Sequence, residues 1–227
     1  MKTANSPCVI LASMLPELRA EWILAAAVIG LGSGPLLALL AGRIRRPAKS
    51  PGVRLTLAAS FASSILFALV VAQFRTPLEI AAYLVLAAAA IVLSIVDLLD
   101  RRLPDVVLLP ALAVVASLLL VSSIAHNSLP TAVGVAGGAI AMFALYFVLA
   151  LIAPSGMGMG DVKLSALIGA AAGYLGLTTW LAALLGGFVV GAIVSLIGLA
   201  TKRVSLKSLV PFGPAILAGL FVAIVLV

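Results

Sequence analysis

Long apolar runs alternate with short polar gaps along the whole chain of 227 residues. The runs approach the ~20 residues that an α-helix needs to cross a bilayer. The pattern predicts eight such segments, at about 22–42, 56–73, 78–97, 105–124, 129–153, 162–176, 178–200 and 208–226. The sixth is short, which indicates a tilted or partly re-entrant helix. The predicted fold is therefore all-α, a polytopic membrane bundle of about eight transmembrane helices.

The polar gaps contain the residues that end helices. Proline or glycine occurs in most of them, as in "RRPAKSPG", "RRLP" and "APSGMGMG". No internal repeat, low-complexity tail or soluble appendage stands out. Residues 1–227 are therefore predicted to form a single membrane domain, with a loose N-terminal tail up to about residue 20.

Composition supports a membrane location and argues against several other classes of protein. Hydrophobic residues make up 64% of the chain and charged residues only 9%, whereas roughly 25% charged is usual in soluble domains. The net charge of +7 does not predict a nucleic-acid partner, because the charges lie in the short gaps, where they act as topology signals. The single cysteine, Cys8, excludes a disulfide framework and a tetrathiolate zinc site.

The basic residues predict the orientation in the bilayer. Of the 14 lysines and arginines, all but Lys2, Arg19 and Arg75 fall in the gaps after the odd-numbered segments. The positive-inside rule makes that side cytoplasmic and places both termini outside.

Every aspartate lies on the predicted cytoplasmic side. They stand at the ends of segments, as Asp97, Asp100, Asp105 and Asp161. A charged side chain in hydrocarbon costs about 2.5–3.5 kcal/mol even on lenient insertion scales. Asp97 lies just inside the apolar boundary and Asp161 opens the sixth apolar run, so each needs water, a partner or a function.

Each of these two aspartates has a structural explanation as well as a functional one. Asp161 could stabilise a helix N-terminus, and Asp97 could pair with Arg101, four residues on. Their shared depth on different helices favours a common cleft instead. Gly156, Gly158 and Gly160 precede Asp161, and glycines leave room for the backbone of an extended peptide.

Paired carboxyl groups predict a particular chemistry. Two such groups in one site do not both ionise easily, so that they hold one proton between them. One can then deprotonate a water while the other polarises a scissile carbonyl. No serine, cysteine or histidine arrangement competes, since the sole histidine, His126, is predicted on the opposite face. Peptide hydrolysis at a membrane surface is the reaction favoured.

Three ordered motifs resemble those of the type IV prepilin peptidases. They are "VDLLDRRLPD" at 96–105, "GMGMGDVKL" at 156–164 and "VPFGPAILAG" at 210–219, and "GLGSGPLLALLAGRIRR" at 30–46 more loosely resembles the family's first span. The resemblance covers nearly the whole chain. It implies a membrane aspartic endopeptidase in the bacterial inner membrane, with Asp97 and Asp161 as the catalytic pair. The implied substrate is a prepilin or pseudopilin helix, whose short basic leader is removed at the cytoplasmic face.

The resemblance also implies roles around the pair. Lys163 is expected to contact the substrate backbone or the surroundings of the pair, or else to be a positive-inside anchor. Asp100 and Asp105 are expected to hydrogen-bond around the site or to cap interfacial helix ends. Further positions expected to bind substrate or shape the site are Gly158, Gly160, Pro104, Pro211, Phe212, Gly213 and Pro214.

One segment departs from the family pattern. Many bacterial members carry two Cys-x-x-Cys pairs in a loop after the first helix, whereas this chain has "RIRRPAKSPGVRLT". No metal site and no cofactor are therefore expected. S-adenosylmethionine would be needed only if the N-methyltransferase activity of the longer members is retained, which the sequence leaves open.

Two other functions are considered. A presenilin-type protease would show a Tyr-Asp motif and a Pro-Ala-Leu motif, whereas this chain has Val96-Asp97 and Pro211-Phe212-Gly213. A small transporter or assembly subunit could use Asp97 and Asp161 as ion or proton ligands. Such ligands are expected near the bilayer midplane, whereas both acids here are predicted near one interface.

Overall fold

The protein is described by a computed structural model that covers residues 7–45, 52–152, 157–201 and 211–226, with side chains from residue 19 onward. Every regular element in these ranges is an α-helix, and there are eight. They are α1 Pro7–Ile44, α2 Val53–Gln73, α3 Pro77–Asp100, α4 Asp105–Ala125, α5 Leu129–Ile152, α6 Met159–Leu175, α7 Leu177–Ala200 and α8 Gly213–Leu226. The prediction of an all-α membrane bundle with eight helices is confirmed.

The helices differ in whether they are long enough to cross a bilayer. Six have the necessary length and apolar composition, namely α1 (from Arg19), α2, α3, α4, α5 and α7. The sixth helix, predicted to be short, has 17 residues. The eighth has 14 residues and begins at Gly213, later than the predicted 208, and residues 202–210 lie outside the described part. Helix α1 begins at Pro7, within the tail expected to be loose, because proline suits a first helical turn.

Helix α6 is the centre of the bundle. It contacts α4, α5, α7 and α8, and every residue from Leu164 to Gly173 is buried. It ends at Gly176, whose φ of 111° lies in the region that favours glycine. A helix surrounded by protein on all sides places its N-terminal residues against several neighbours at once.

Close helix contacts depend on small residues. A Cβ atom on Gly138 or on Gly169 would collide with the backbone carbonyl of the other, which brings α5 and α6 into direct backbone contact. On α7, a Cβ atom on Gly187 would lie 3.2 Å from the Cα atom of Ile216, and one on Gly191 would meet the ring of Phe212. Van der Waals packing of this kind drives helix association in lipid.

Candidate active site

Asp97 lies in the last turn of α3 and points into the protein. Its residue is only 5% exposed, and its Oδ2 accepts a hydrogen bond of 3.0 Å from the backbone N–H of Gly213 at the start of α8. Among the described side chains, Asp97 makes no ion pair with Arg101. Arg101 instead adopts a left-handed conformation with φ of 52° and ends α3. The partner that stabilises the buried carboxyl is therefore a backbone group.

Asp161 lies in the first turn of α6. Gly158 is the residue before the helix, and its N–H donates a hydrogen bond of 3.2 Å to Oδ2 of Asp161. The helix-capping role that the sequence allowed is thus present. It does not conflict with a chemical role, because the residue remains partly exposed and the bond uses one oxygen of the carboxyl.

The structure brings these two aspartates to the same end of the bundle. Leu103 lies between the elements that carry them: a Cβ atom on Gly160 would stand 2.9 Å from Leu103 Cβ, and one on Gly213 would stand 3.3 Å from Leu103 Cδ2. The ends of α3, α6 and α8 therefore converge around one leucine side chain.

Gly213 is the member of the Pro-Phe-Gly-Pro stretch that contacts the pair. A Cβ atom there would lie 2.8 Å from Asp97 Oδ2, so glycine leaves the space that the carboxyl fills. Phe212 faces α7 instead, where its ring centroid lies 5.8 Å from that of Phe188. Pro211 and Pro214 flank these two residues and are half-buried.

Two close ion pairs lie beside the site. Lys163 Nζ lies 2.9 and 2.7 Å from the carboxyl oxygens of Asp105, and Arg45 Nε lies 2.9 Å from Asp100 Oδ1. The first pair joins α6 to the start of α4, where Pro104 precedes the helix. The second joins the end of α1 to the end of α3. Together they hold both sides of the turn at 101–104 that carries Leu103.

Two residues at this end of the bundle were not singled out by the sequence. Leu103 could have been found from its place in "RRLPD", inside a quoted motif. Tyr146 on α5 has a buried hydroxyl and a ring that stacks on Phe188, and nothing in the local sequence marks it. Within the described ranges, no three histidine, cysteine, aspartate or glutamate side chains gather as a metal site would require.

The fold, with six helices long and apolar enough to cross a bilayer, is that of an integral-membrane protein with two partly or fully buried aspartates at one end. Comparison with known proteins gives the family. The sequence model described as the type IV leader peptidase family matches residues 84–196, which include both aspartates. The chain is 31% identical over 180 residues to the prepilin leader peptidase/N-methyltransferase of Bacillus subtilis (strain 168), covering 77% of this chain and 68% of that protein. The chain belongs to the type IV leader peptidase family and is a peptidase. No solved structure matches it.

Proposed function

We propose that this peptidase removes the short basic leader from prepilins or pseudopilins, with Asp97 and Asp161 as its catalytic pair. The observation that carries the proposal is the convergence around Leu103 of the helix ends that bear Asp97 and Asp161, at one end of an apolar bundle. The relative in Bacillus subtilis is named as a prepilin leader peptidase, which supports the substrate class.

The proposed reaction uses one ionised and one protonated carboxyl. The ionised group takes a proton from a water, which attacks the carbonyl carbon of the scissile peptide bond. The protonated group donates a hydrogen bond to the carbonyl oxygen and stabilises the charge that develops there. The tetrahedral intermediate then breaks its C–N bond as the leaving amine receives a proton, and the pair returns to sharing one proton. No metal ion or cofactor takes part, and S-adenosylmethionine would serve only a separate methylation.

The basic residues support a site on the cytoplasmic side of the membrane. Arg45 reaches the carboxyl of Asp100, and Lys163 reaches that of Asp105, so these cations lie at the same end of the bundle as the pair. By the positive-inside rule this end faces the cytoplasm of a bacterium, with both termini outside. A substrate with an apolar helix and a basic leader would then present its cleavage site at this depth.

The first prediction tests the pair directly. Asp97→Asn and Asp161→Asn keep the size of each side chain and remove its acid–base function. Each is expected to lower the rate of leader cleavage by at least about 100-fold. The measurement is cleavage of a purified prepilin in detergent micelles.

The matched control is Glu79→Gln, a carboxyl-to-amide change at the opposite end of α3. Glu79 accepts a hydrogen bond from Tyr174, which glutamine can also accept, so this variant is expected to cleave at the wild-type rate. All three variants should insert into membranes normally. Cleavage at a rate near wild type by either aspartate variant would remove the basis of the proposed pair.

A further inference from the structure

Helices α5 and α6 run antiparallel in a regular register. Each successive contact lies four residues later on α5 and four residues earlier on α6. The contact pairs are Gly134 with Gly173, Gly138 with Gly169, and Met142 with Ser165, whose hydroxyl donates to the Met142 carbonyl at 3.2 Å. The next step of the same register pairs Tyr146 with Asp161. Tyr146 is therefore the α5 residue at the same height in the bundle as Asp161.

The Tyr146 side chain is fully buried, with 0% exposure. Its hydroxyl has no hydrogen-bond partner within the part of the chain that the structure describes. It points towards α7, where a Cβ atom on Gly187 would lie 3.6 Å from the hydroxyl oxygen. A buried polar group without a partner lowers the stability of the fold. Phenylalanine would pack equally well here without that penalty, so packing alone does not account for the hydroxyl.

The ring of Tyr146 also connects to the other aspartate. It stacks on Phe188 with a centroid distance of 5.6 Å, and Phe188 in turn packs on Phe212 at 5.8 Å. Phe212 directly precedes Gly213, whose N–H binds Asp97. This row of three rings links the side chain of Tyr146 to the residue that precedes Gly213.

We propose that Tyr146 is a positioning residue for Asp161. When substrate fills the site, its hydroxyl donates a hydrogen bond to the Asp161 oxygen that Gly158 does not bind. Gly158 and Tyr146 then hold the two oxygens of one carboxyl from opposite sides and fix its plane towards Asp97. The inference rests on the proposed catalytic role of Asp161. It gives the unpaired buried donor a partner in the filled site, so that the stability lost in the empty protein is offset by a function.

The test is Tyr146→Phe, which keeps the ring and its stacking and removes only the hydroxyl. Since the lost hydrogen bond positions a reacting carboxyl, kcat for prepilin cleavage is expected to fall about 10- to 100-fold, while KM stays within about twofold. The temperature of thermal unfolding in detergent should stay the same or rise, because an unpaired buried group is removed.

Tyr83→Phe is the matched control. Tyr83 is equally buried, but its hydroxyl donates to the Ala171 carbonyl at 2.7 Å, nearer the other end of α6. This variant should unfold at a lower temperature and keep the wild-type kcat, which is the opposite pair of effects.

The outcomes separate the two proposals. A wild-type kcat for Tyr146→Phe, or a loss of activity matched by a loss of stability like that of Tyr83→Phe, would overturn the role of Tyr146. Full activity of Asp161→Asn would instead overturn the catalytic pair itself. An inactive Asp161→Asn together with a fully active Tyr146→Phe leaves the pair standing and rejects only the tyrosine.

Discussion

At the scale of single residues, the missing side chain of Gly213 is as important as the carboxyl that it faces. The hydrogen bond from its N–H to Asp97 requires the backbone of α8 to approach the end of α3 closely. Any larger residue would place a Cβ atom 2.8 Å from the carboxyl oxygen. The oxygen belongs to the end of a side chain, so it can move aside at little cost in folding energy.

Gly213→Ala is therefore expected to affect activity more than stability. Displacement of Asp97 by even a few tenths of an ångström disturbs the geometry of the pair, and we expect kcat to fall by roughly 10-fold or more. Thermal unfolding should change little. Gly32→Ala is the control, since a Cβ atom there meets nothing within 4 Å. The interpretation fails if Gly213→Ala cleaves prepilin as fast as this control.

The sequence predicts part of this site for a physical reason. The cost of placing charge in hydrocarbon marks Asp97 and Asp161, and the order of the segments puts both at one end. The sequence does not predict the Gly213 contact, because its partners are 116 positions apart and only tertiary packing joins them. It misses Tyr146 for the same reason: in an apolar helix, a tyrosine on the buried face looks like any other core residue.

At the scale of helices, close backbone contact between α5 and α6 sets the position of Asp161. Neighbouring glycines on α5 differ completely in their surroundings. A Cβ atom on Gly138 would strike the Gly169 carbonyl and come within 3.2 Å of the Trp180 side chain, whereas one on Gly137 meets nothing within 4 Å.

These two adjacent glycines provide a matched pair of variants. Gly138→Ala must push the helices apart, and we expect a loss of about 1–3 kcal/mol in unfolding free energy. Gly137→Ala should be neutral or slightly stabilising, because alanine is the better helix former by up to ~1 kcal/mol. The measurement is unfolding of each variant in detergent. Equal stabilities would mean that the backbone contact does not limit the packing of these helices.

Hydropathy predicts the number and order of the helices well and their ends less well. The long apolar runs require helices, because a bilayer offers no partner for backbone polar groups. Helix α8 starts at Gly213 rather than near 208, because Pro211 and Pro214 favour a helix start at this point. The start of α1 at Pro7 lies outside the most apolar stretch, where hydropathy carries little information.

At the scale of the whole molecule, an ion pair joins the α1–α2 hairpin to the helices that carry the site. Ser63 of α2 donates to the Gly30 carbonyl of α1 at 2.6 Å, so these two helices form a unit. Arg45, which directly follows α1, forms an ion pair with Asp100. Asp100 lies three residues after Asp97 on α3. The Asp100 side chain is only 13% exposed, and the next cation, Arg102, lies 3.8 Å away.

Arg45→Gln is expected to lower the unfolding free energy by about 1–3 kcal/mol, because a largely buried carboxylate loses its main partner. Asp100→Asn in the same chain should restore part of this loss, since the unpaired charge is then removed. A double-mutant cycle from thermal unfolding measures the coupling. Strictly additive effects of the two changes would show that the pair does not connect the hairpin to the bundle.

The bond between Asp97 and α8 also has a consequence for the order in which the enzyme becomes active. The ribosome makes Asp97 long before its backbone partner, and at about 5–20 residues per second the intervening chain takes on the order of ten seconds to synthesise. Once Asp161 has also been made, and until Gly213 follows, the nascent chain carries both acids while Asp97 still lacks the backbone N–H that binds it. On the proposed role of Asp97, leader cleavage is expected to start only after α8 has inserted, so that a partly synthesised chain does not cut neighbouring nascent polypeptides.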